Sequence, residues 1–275
     1  MTEAALLVAA RTEGQVSTLR SLIFGALWGL WTVLFGLAIP FLWIARAKPS
    51  TVRMLSRVWA RGVLSMLVGI IGLRHRERGR EHVSRTPGLI VSNHQSTWET
   101  LAALVMFPDV AIVAKQELLH IPVMGWYLTN SPMILIDRTS ASAALREMTL
   151  QGRAALAAGR PVLIFPEGTR KAVGEPIEFR RGVEFLYKAL GVPALPVVLD
   201  SGRFWSVGGL PKRAGIITVS FLEPISPGLS TKDFTRTAQA SMHAEAVGIE
   251  KRRVSSLSCL SANCLASPQI PELRS

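Results

Sequence analysis

Leu89-Ile90-Val91, then the polar run Ser92-Asn93-His94-Gln95-Ser96, then an apolar stretch with helical spacing from Thr97 to Met106: this passage decides the fold. A β-branched run too short for a helix, closed by turn residues and followed by helical periodicity, reads as a buried strand feeding a helix. The alternation continues beyond it. Val110-Ala111-Ile112-Val113, Met133-Ile134-Leu135-Ile136, Val162-Leu163-Ile164-Phe165, Leu195-Pro196-Val197-Val198-Leu199 and Ile216-Ile217-Thr218-Val219-Ser220-Phe221 read as further strands, mostly buried. Ala141 to Ala158 and Val183 to Leu190 read as helices, with Gly159 and Gly191 where stops are expected. The class is therefore α/β, a mixed and largely parallel sheet flanked by helices, preceded by an N-terminal hydrophobic helix pair.

The evidence for that helix pair lies upstream. Residues 22 to 45 carry no charge and are bracketed by Arg20 on one side and by Arg46 and Lys48 on the other. About twenty apolar residues span a bilayer core, and Trp28, Trp31 and Trp43 are of a type that favours its interface. A buried core helix is the alternative, but core helices of this length seldom lack a charged edge. In Val52 to Leu73 the first half carries Arg53, Arg57 and Arg61 at every fourth position and reads as interfacial, while Gly62 to Leu73 is uncharged. Arg74, Arg76, Arg78 and Arg80 follow as a basic flank. The expected organisation is membrane-associating helices over 1–80, an α/β domain over 81–250 that ends in a helix from 231, and a disordered tail over 251–275. The basic flanks favour a hairpin, or a helix pair in one leaflet, with the domain on the cytosolic face of the inner membrane.

Composition agrees with a membrane partner. The 275 residues are 49% hydrophobic and only 18% charged, yet the net charge is +12, a balance suited to an anionic surface. Nucleic acid is disfavoured by the uncharged 22–45 segment and by the lack of a recognisable binding module. Cys259 and Cys264, the only cysteines, have no His or acidic cluster near them, so neither a disulfide framework nor a metal site is expected.

In α/β sheets ligands bind beyond the carboxyl ends of the strands, and the residues found there are chemically capable. His94 follows one strand and Glu99 stands five residues on. An imidazole can take a proton from a hydroxyl near neutral pH if a carboxylate orients it, which here requires His94 to precede the regular helix, since positions five apart on one helix diverge by ~140°. A structural histidine beside a solvated glutamate is the other reading. Phe165-Pro166-Glu167-Gly168-Thr169-Arg170 leaves another strand and offers a turn, a hydroxyl and a guanidinium. Such a turn suits an anion, because Gly allows close backbone approach and an Arg fork fits phosphate oxygens. Alternatively Arg170 lies in solvent or pairs with Glu167. Ile136-Asp137-Arg138-Thr139 repeats the design at a third strand end.

Together, Asn93-His94-Gln95-Ser96-Thr97-Trp98-Glu99, Met133-Ile134-Leu135-Ile136-Asp137-Arg138, Phe165-Pro166-Glu167-Gly168-Thr169-Arg170 and Val192-Pro193-Ala194-Leu195-Pro196-Val197 resemble, in order and spacing, the four blocks of the glycerolipid acyltransferase family. The resemblance runs from about residue 20 to 225 and includes the N-terminal helix pair. It implies an enzyme of phospholipid biosynthesis that transfers an acyl group from an acyl thioester, carried by acyl-carrier protein or coenzyme A, to the free hydroxyl of lysophosphatidic acid. In that reading His94 is the base and Glu99 holds it. Arg138, Glu167, Gly168, Thr169 and Arg170 bind the glycerol phosphate, Lys115 matches a basic position, and Pro196 lies near the acyl donor. The implied partners are a lysophospholipid, the thioester carrier and membrane lipid, with no cofactor and no metal. A different lysophospholipid or amino-acid lipid as acceptor is the second reading, and a non-enzymatic basic membrane-binding protein the third. The family's first block usually ends in Asp, where this chain has Glu99, and Leu135 stands where an aromatic residue is usual.

Overall fold

The computed structural model describes the backbone over residues 3–137, 141–206, 208–209 and 211–265, and side chains over 17–137, 142–206, 208–209 and 211–255. Strands β1 (Leu73–Arg78), β2 (Leu89–Ser92), β3 (Ala111–Lys115), β4 (Ile134–Ile136), β5 (Val162–Ile164), β6 (Ala194–Leu199) and β7 (Gly215–Phe221) form one sheet in the order β1-β7-β6-β2-β5-β3-β4. Every neighbouring pair is parallel except β6 with β7, so the sheet is mixed and largely parallel. Helices α1 (Glu3–Leu37), α2 (Ile39–Ile44), α3 (Pro49–Met66), α4 (Trp98–Met106), α5 (Met124–Asn130), α6 (Ala141–Ala157), α7 (Arg181–Leu190) and α8 (Thr231–Leu265) surround it.

Successive side chains of a strand point to opposite faces, and the core follows that period. Ile90, Leu163, Leu195 and Val197 join Phe24, Val63, Leu67 and Leu101 in a core under α1, α3 and α4. Leu89, Val91, Val162, Ile164 and Val198 join Met148, Leu186, Tyr187, Phe234 and Met242 in a second core under α6, α7 and α8. This is why the central strands read as continuous apolar runs: both faces are covered.

Three readings are corrected. Arg74 to Arg78 form edge strand β1, paired with β7 from Leu73↔Gly215 to Arg78↔Ser220, so the sheet begins inside the span assigned to the N-terminal helices. Only Leu73 of β1 is buried, and a strand exposed on both faces carries no apolar alternation to read. The arginine stripe of α3 is not wholly interfacial. Asp109, in the turn after α4, accepts from Arg53 Nε at 3.0 Å and Arg57 Nη2 at 3.3 Å, leaving Arg61 exposed. Finally, α8 continues through Leu265, into the stretch read as a tail. Arg253 ties it to the loop after β6 by pairing with Asp200, while Arg252 pairs with Glu245 within the helix. Residues 266–275 lie outside the described residues.

The N-terminal helices make a hairpin stitched by tryptophans. Trp31 Nε1 donates to the Trp59 carbonyl and Trp59 Nε1 to Thr32 Oγ1, both at 3.1 Å. Gly62 makes the approach possible, since a Cβ there would overlap the Trp31 ring. One edge of α1 docks on the loop after β6: Phe24 and Trp28 meet the Trp205 ring edge-on at 6.0 and 5.8 Å, and Lys212 N donates to Ser21 Oγ at 2.8 Å. The outward face is bare, with Leu22, Leu30, Leu37, Phe41 and Trp43 all more than half exposed. Ser17–Ile44 and Pro49–Ile71 are each long and apolar enough to cross a membrane; their apolar 18-residue windows have mean hydropathies of 2.1 and 1.5, and only 6% of the first window is buried. An uncovered apolar face of this extent calls for a lipid or protein surface.

Candidate active site

β2, β5 and β3 are parallel neighbours, so their carboxyl ends emerge together with the polar segments that follow them. Ser92 ends β2, and Asn93 fixes what comes next by acting as a surrogate strand partner. Its amide donates from Nδ2 to the Leu199 carbonyl and accepts the Leu199 N–H at Oδ1, both at 2.9 Å. The chain then turns through His94 and enters α4 only at Trp98, so the condition set by the five-residue spacing is met.

His94 Nδ1 lies 2.9 Å from Glu99 Oε1. Glu99 is buried and saturated with donors. Oε1 also accepts the N–H groups of Gln95 and Ser96 at 2.6 Å, while Oε2 accepts the hydroxyls of Ser96 at 2.6 Å and Ser201 at 2.7 Å. Burial alone would raise this carboxyl. The bond to His94, the charge of His94 and the Ser96 contacts outweigh it and hold Glu99 below the ordinary value of 4.5. With an ionised Glu99 on Nδ1, Nε2 is the nitrogen left to accept a proton. The imidazole stacks on Phe165 with ring centroids 4.1 Å apart and keeps 15% of its side-chain surface, enough for a substrate atom to reach it.

The second motif is laced to the first. His94 N donates to Glu167 Oε1 at 3.3 Å, and Lys171 N donates to the His94 carbonyl at 2.8 Å. Gly168 takes φ +67°, which glycine alone adopts without strain, and closes the turn with a bond from its N–H to the Phe165 carbonyl. Thr169 and Arg170 are exposed, and Arg170 has no hydrogen bond or ion pair among the described residues. Glu167 is buried, with Oε2 unpartnered among the described residues. Burial pushes its carboxyl up to about 7, against the pull of the His94 N–H and Lys171. One carboxylate of the site is thus ionised at neutral pH and the other is poised near it, a division typical of sites that move protons.

Lys115 is exposed at the end of β3, in register with Ile136 of β4. Arg138 lies outside the described residues; Asp137 before it is exposed. Pro196 is buried within β6, in register with Val91 of β2, and is not at the solvent-facing end of the sheet. Sequence reasoning missed Asn93 as a pin and Ser201 as a donor to Glu99. Their partners are 106 and 102 residues away, and no local pattern encodes such contacts. No group of three or more His, Cys, Asp or Glu that could hold a metal occurs among the described residues.

Comparison with known proteins adds a family to this geometry. Residues 74–200 match the family model described as Acyltransferase. The chain is 36% identical over 192 residues to the 1-acyl-sn-glycerol-3-phosphate acyltransferase of Pseudomonas aeruginosa, covering 70% of this chain and 72% of that one. It is 32% identical over 187 residues to the alpha form from Mus musculus, covering 64% and 63%. The crystal structure of the 1-acyl-sn-glycerophosphate (LPA) acyltransferase PlsC from Thermotoga maritima has the same fold, with a TM-score of 0.69 at 20% identity, over 86% of this chain and 98% of that chain. An oriented histidine beside a basic, glycine-bearing turn, on a fold and sequence shared with these enzymes, makes this chain a member of the glycerolipid acyltransferase family.

Proposed function

We propose that the protein transfers an acyl group from a thioester to the sn-2 hydroxyl of lysophosphatidic acid, giving phosphatidic acid. The observation that carries this reading is the 2.9 Å bond from His94 Nδ1 to an ionised, fully saturated Glu99, which leaves Nε2 open beside the Gly168–Arg170 turn. Nε2 takes the hydroxyl proton as the acceptor oxygen attacks the thioester carbonyl carbon. The C–S bond breaks as the ester C–O bond forms, and the departing thiolate receives the proton from His94. General-base help of this kind contributes roughly 10²–10⁴ in rate. The thioester is already activated, so the chemistry calls for no further cofactor.

The acceptor's phosphate is assigned to the turn. Arg170 is exposed with no protein partner among the described residues, and Gly168 lets a ligand approach the backbone. Lys115, at the end of β3, and Arg138, which follows β4 in sequence, are assigned to the same phosphate. Glu167 holds the His94 loop through Oε1, and Pro196 acts from inside β6 by shaping the donor side of the site. The relatives named above act on a 1-acyl-glycerol phosphate by their names, which supports a lysophospholipid acceptor here. Acyl-carrier protein or acyl-CoA supplies the acyl group. The bare apolar faces of α1 and α3 seat the protein in the inner membrane, with the α/β domain in the cytosol.

The test is turnover by purified protein in mixed micelles, with acyl-CoA or acyl-carrier protein as donor and a panel of lysolipids as acceptors. Phosphatidic acid should form, and His94→Ala should not make it. Turnover confined to a lysolipid without phosphate would discard the acceptor, and comparable rates for His94→Ala would discard the base.

A further inference from the structure

The residues that hold Glu99 come from two places. Gln95 and Ser96 are its neighbours in the same turn, but the remaining donor, Ser201, arrives from the loop after β6. Ser201 is fully buried and its hydroxyl lies 2.7 Å from Glu99 Oε2 and 2.9 Å from Ser96 Oγ. Its position depends on Asp200, immediately before it. Asp200 Oδ1 accepts the Thr218 N–H at 2.8 Å, and Oδ2 pairs with Arg253 of α8 at 3.3 Å. Arg203, two residues past Ser201, pairs with Glu250 on the same helix. Both arginine contacts reach beyond residue 200, where the match to the family model ends.

We propose that Ser201 is a positioning residue for the His94–Glu99 pair, and that α8 holds Ser201 in place through Asp200 and Arg253. The inference rests on the acyl-transfer reading for its kinetic consequence, but its structural consequence is independent of any substrate. A hydroxyl donating to a carboxylate stabilises the ionised form over the protonated one. Removing it leaves Glu99 easier to protonate and looser against Nδ1. The charged and titratable groups around the pair are Glu167 and Lys171 from the turn after β5, Asp200 and Arg203 from the loop after β6, and Arg253 from α8. All of them persist in Ser201→Ala.

Two measurements on Ser201→Ala test this, using full-length protein in detergent. In the first, kcat falls about 10-fold with the acceptor KM unchanged, and the acid limb of the pH–rate profile shifts, because the carboxylate that orients the base has changed. In the second, the melting temperature relative to unaltered protein is read against pH, which needs no activity. Because the lost donor favours an ionised Glu99, the gap is fully present near neutral pH and narrows only below 4.5, as pH falls through the lowered folded value of Glu99. A purely packing role gives a gap independent of pH. A pH-independent gap, an unmoved acid limb, or an effect confined to either KM overturns the assignment of Ser201. Arg253→Ala leaves every donor to Glu99 present and tests the second half: kcat falls several-fold at unchanged KM, and unchanged kcat overturns the role of α8. Should Ser201→Ala fail to fold, Ser201→Thr keeps the hydroxyl, and an acid limb matching the unaltered protein is then required. Absence of acyl transfer in the unaltered protein would sink the functional reading instead, and the melting curves would still decide this one.

Discussion

Replacing Glu167 by Gln isolates the cost of a buried carboxylate beside His94. The carboxyl of Glu167 is pushed from 4.5 to about 7 in the folded chain, chiefly by burial. Between those values the folded protein binds a proton that the unfolded chain has released, so this residue makes stability fall as pH rises through the window. A displacement of that size corresponds to roughly 3 kcal/mol at 1.36 kcal/mol per unit. Gln cannot ionise and should lack the slope. Its side-chain carbonyl can still accept the His94 N–H as Oε1 does, so the loop is kept. At pH 4 the two proteins differ only by an amide N–H in place of a carboxylic O–H, where Oε2 is unpartnered among the described residues. From there to pH 8 the variant should gain on the unaltered protein, by up to roughly 6 to 12 °C in melting temperature at ~2–4 °C per kcal/mol. Melting curves of detergent-solubilised protein at half-unit steps measure this directly, and the other titrating groups cancel in the difference. Parallel curves across the window would mean that Glu167 ionises like a solvated carboxylate, and the reasoning from its burial would fail.

Other substitutions probe the remaining parts. His94→Ala should lower turnover by at least about 10² while membrane association and melting stay near those of the unaltered protein, as seen by vesicle flotation and calorimetry. Arg170→Ala should raise the acceptor KM about 10-fold, the worth of one charge-assisted contact, and a rise confined to the donor KM would move the phosphate elsewhere. Gly125→Ala puts a methyl into the Leu119 carbonyl oxygen, within the turn that starts α5, and should cost about 1–3 kcal/mol in unfolding experiments.

The passage 89–106 was legible because both signals it carries are local: a short β-branched run closed by turn residues, then a helical period. Its loop chemistry was legible for the same reason, since His94 and Glu99 meet within one turn. β1 was not, because an edge strand with arginines on alternate positions resembles a solvated charge run. α5 was also missed; it begins after Val123, whose φ of +65° no propensity would select. Arg53 and Arg57 were assigned to a lipid surface because their partner, Asp109, belongs to another element. The same limit hid Ser201 and the extension of α8, both of which depend on contacts between the loop after β6 and residues far from it in sequence. Sequence reading thus recovered groups that act within a turn and lost those that act across the sheet.

The pairing of β1 with β7 has a consequence for how the chain is made. The first strand off the ribosome finds its sheet partner only in Gly215–Phe221, and Ser17, near the middle of α1, bonds to Lys212, 195 residues later. Until that stretch is synthesised, α1 has only its α3 partner and β1 has no neighbour, and long-range closure of this kind is slow. The arginines of β1 let the strand wait in water without recruiting a foreign edge. A chain interrupted before Trp205 therefore loses the sheet edge and the dock of α1 on that loop in the same event.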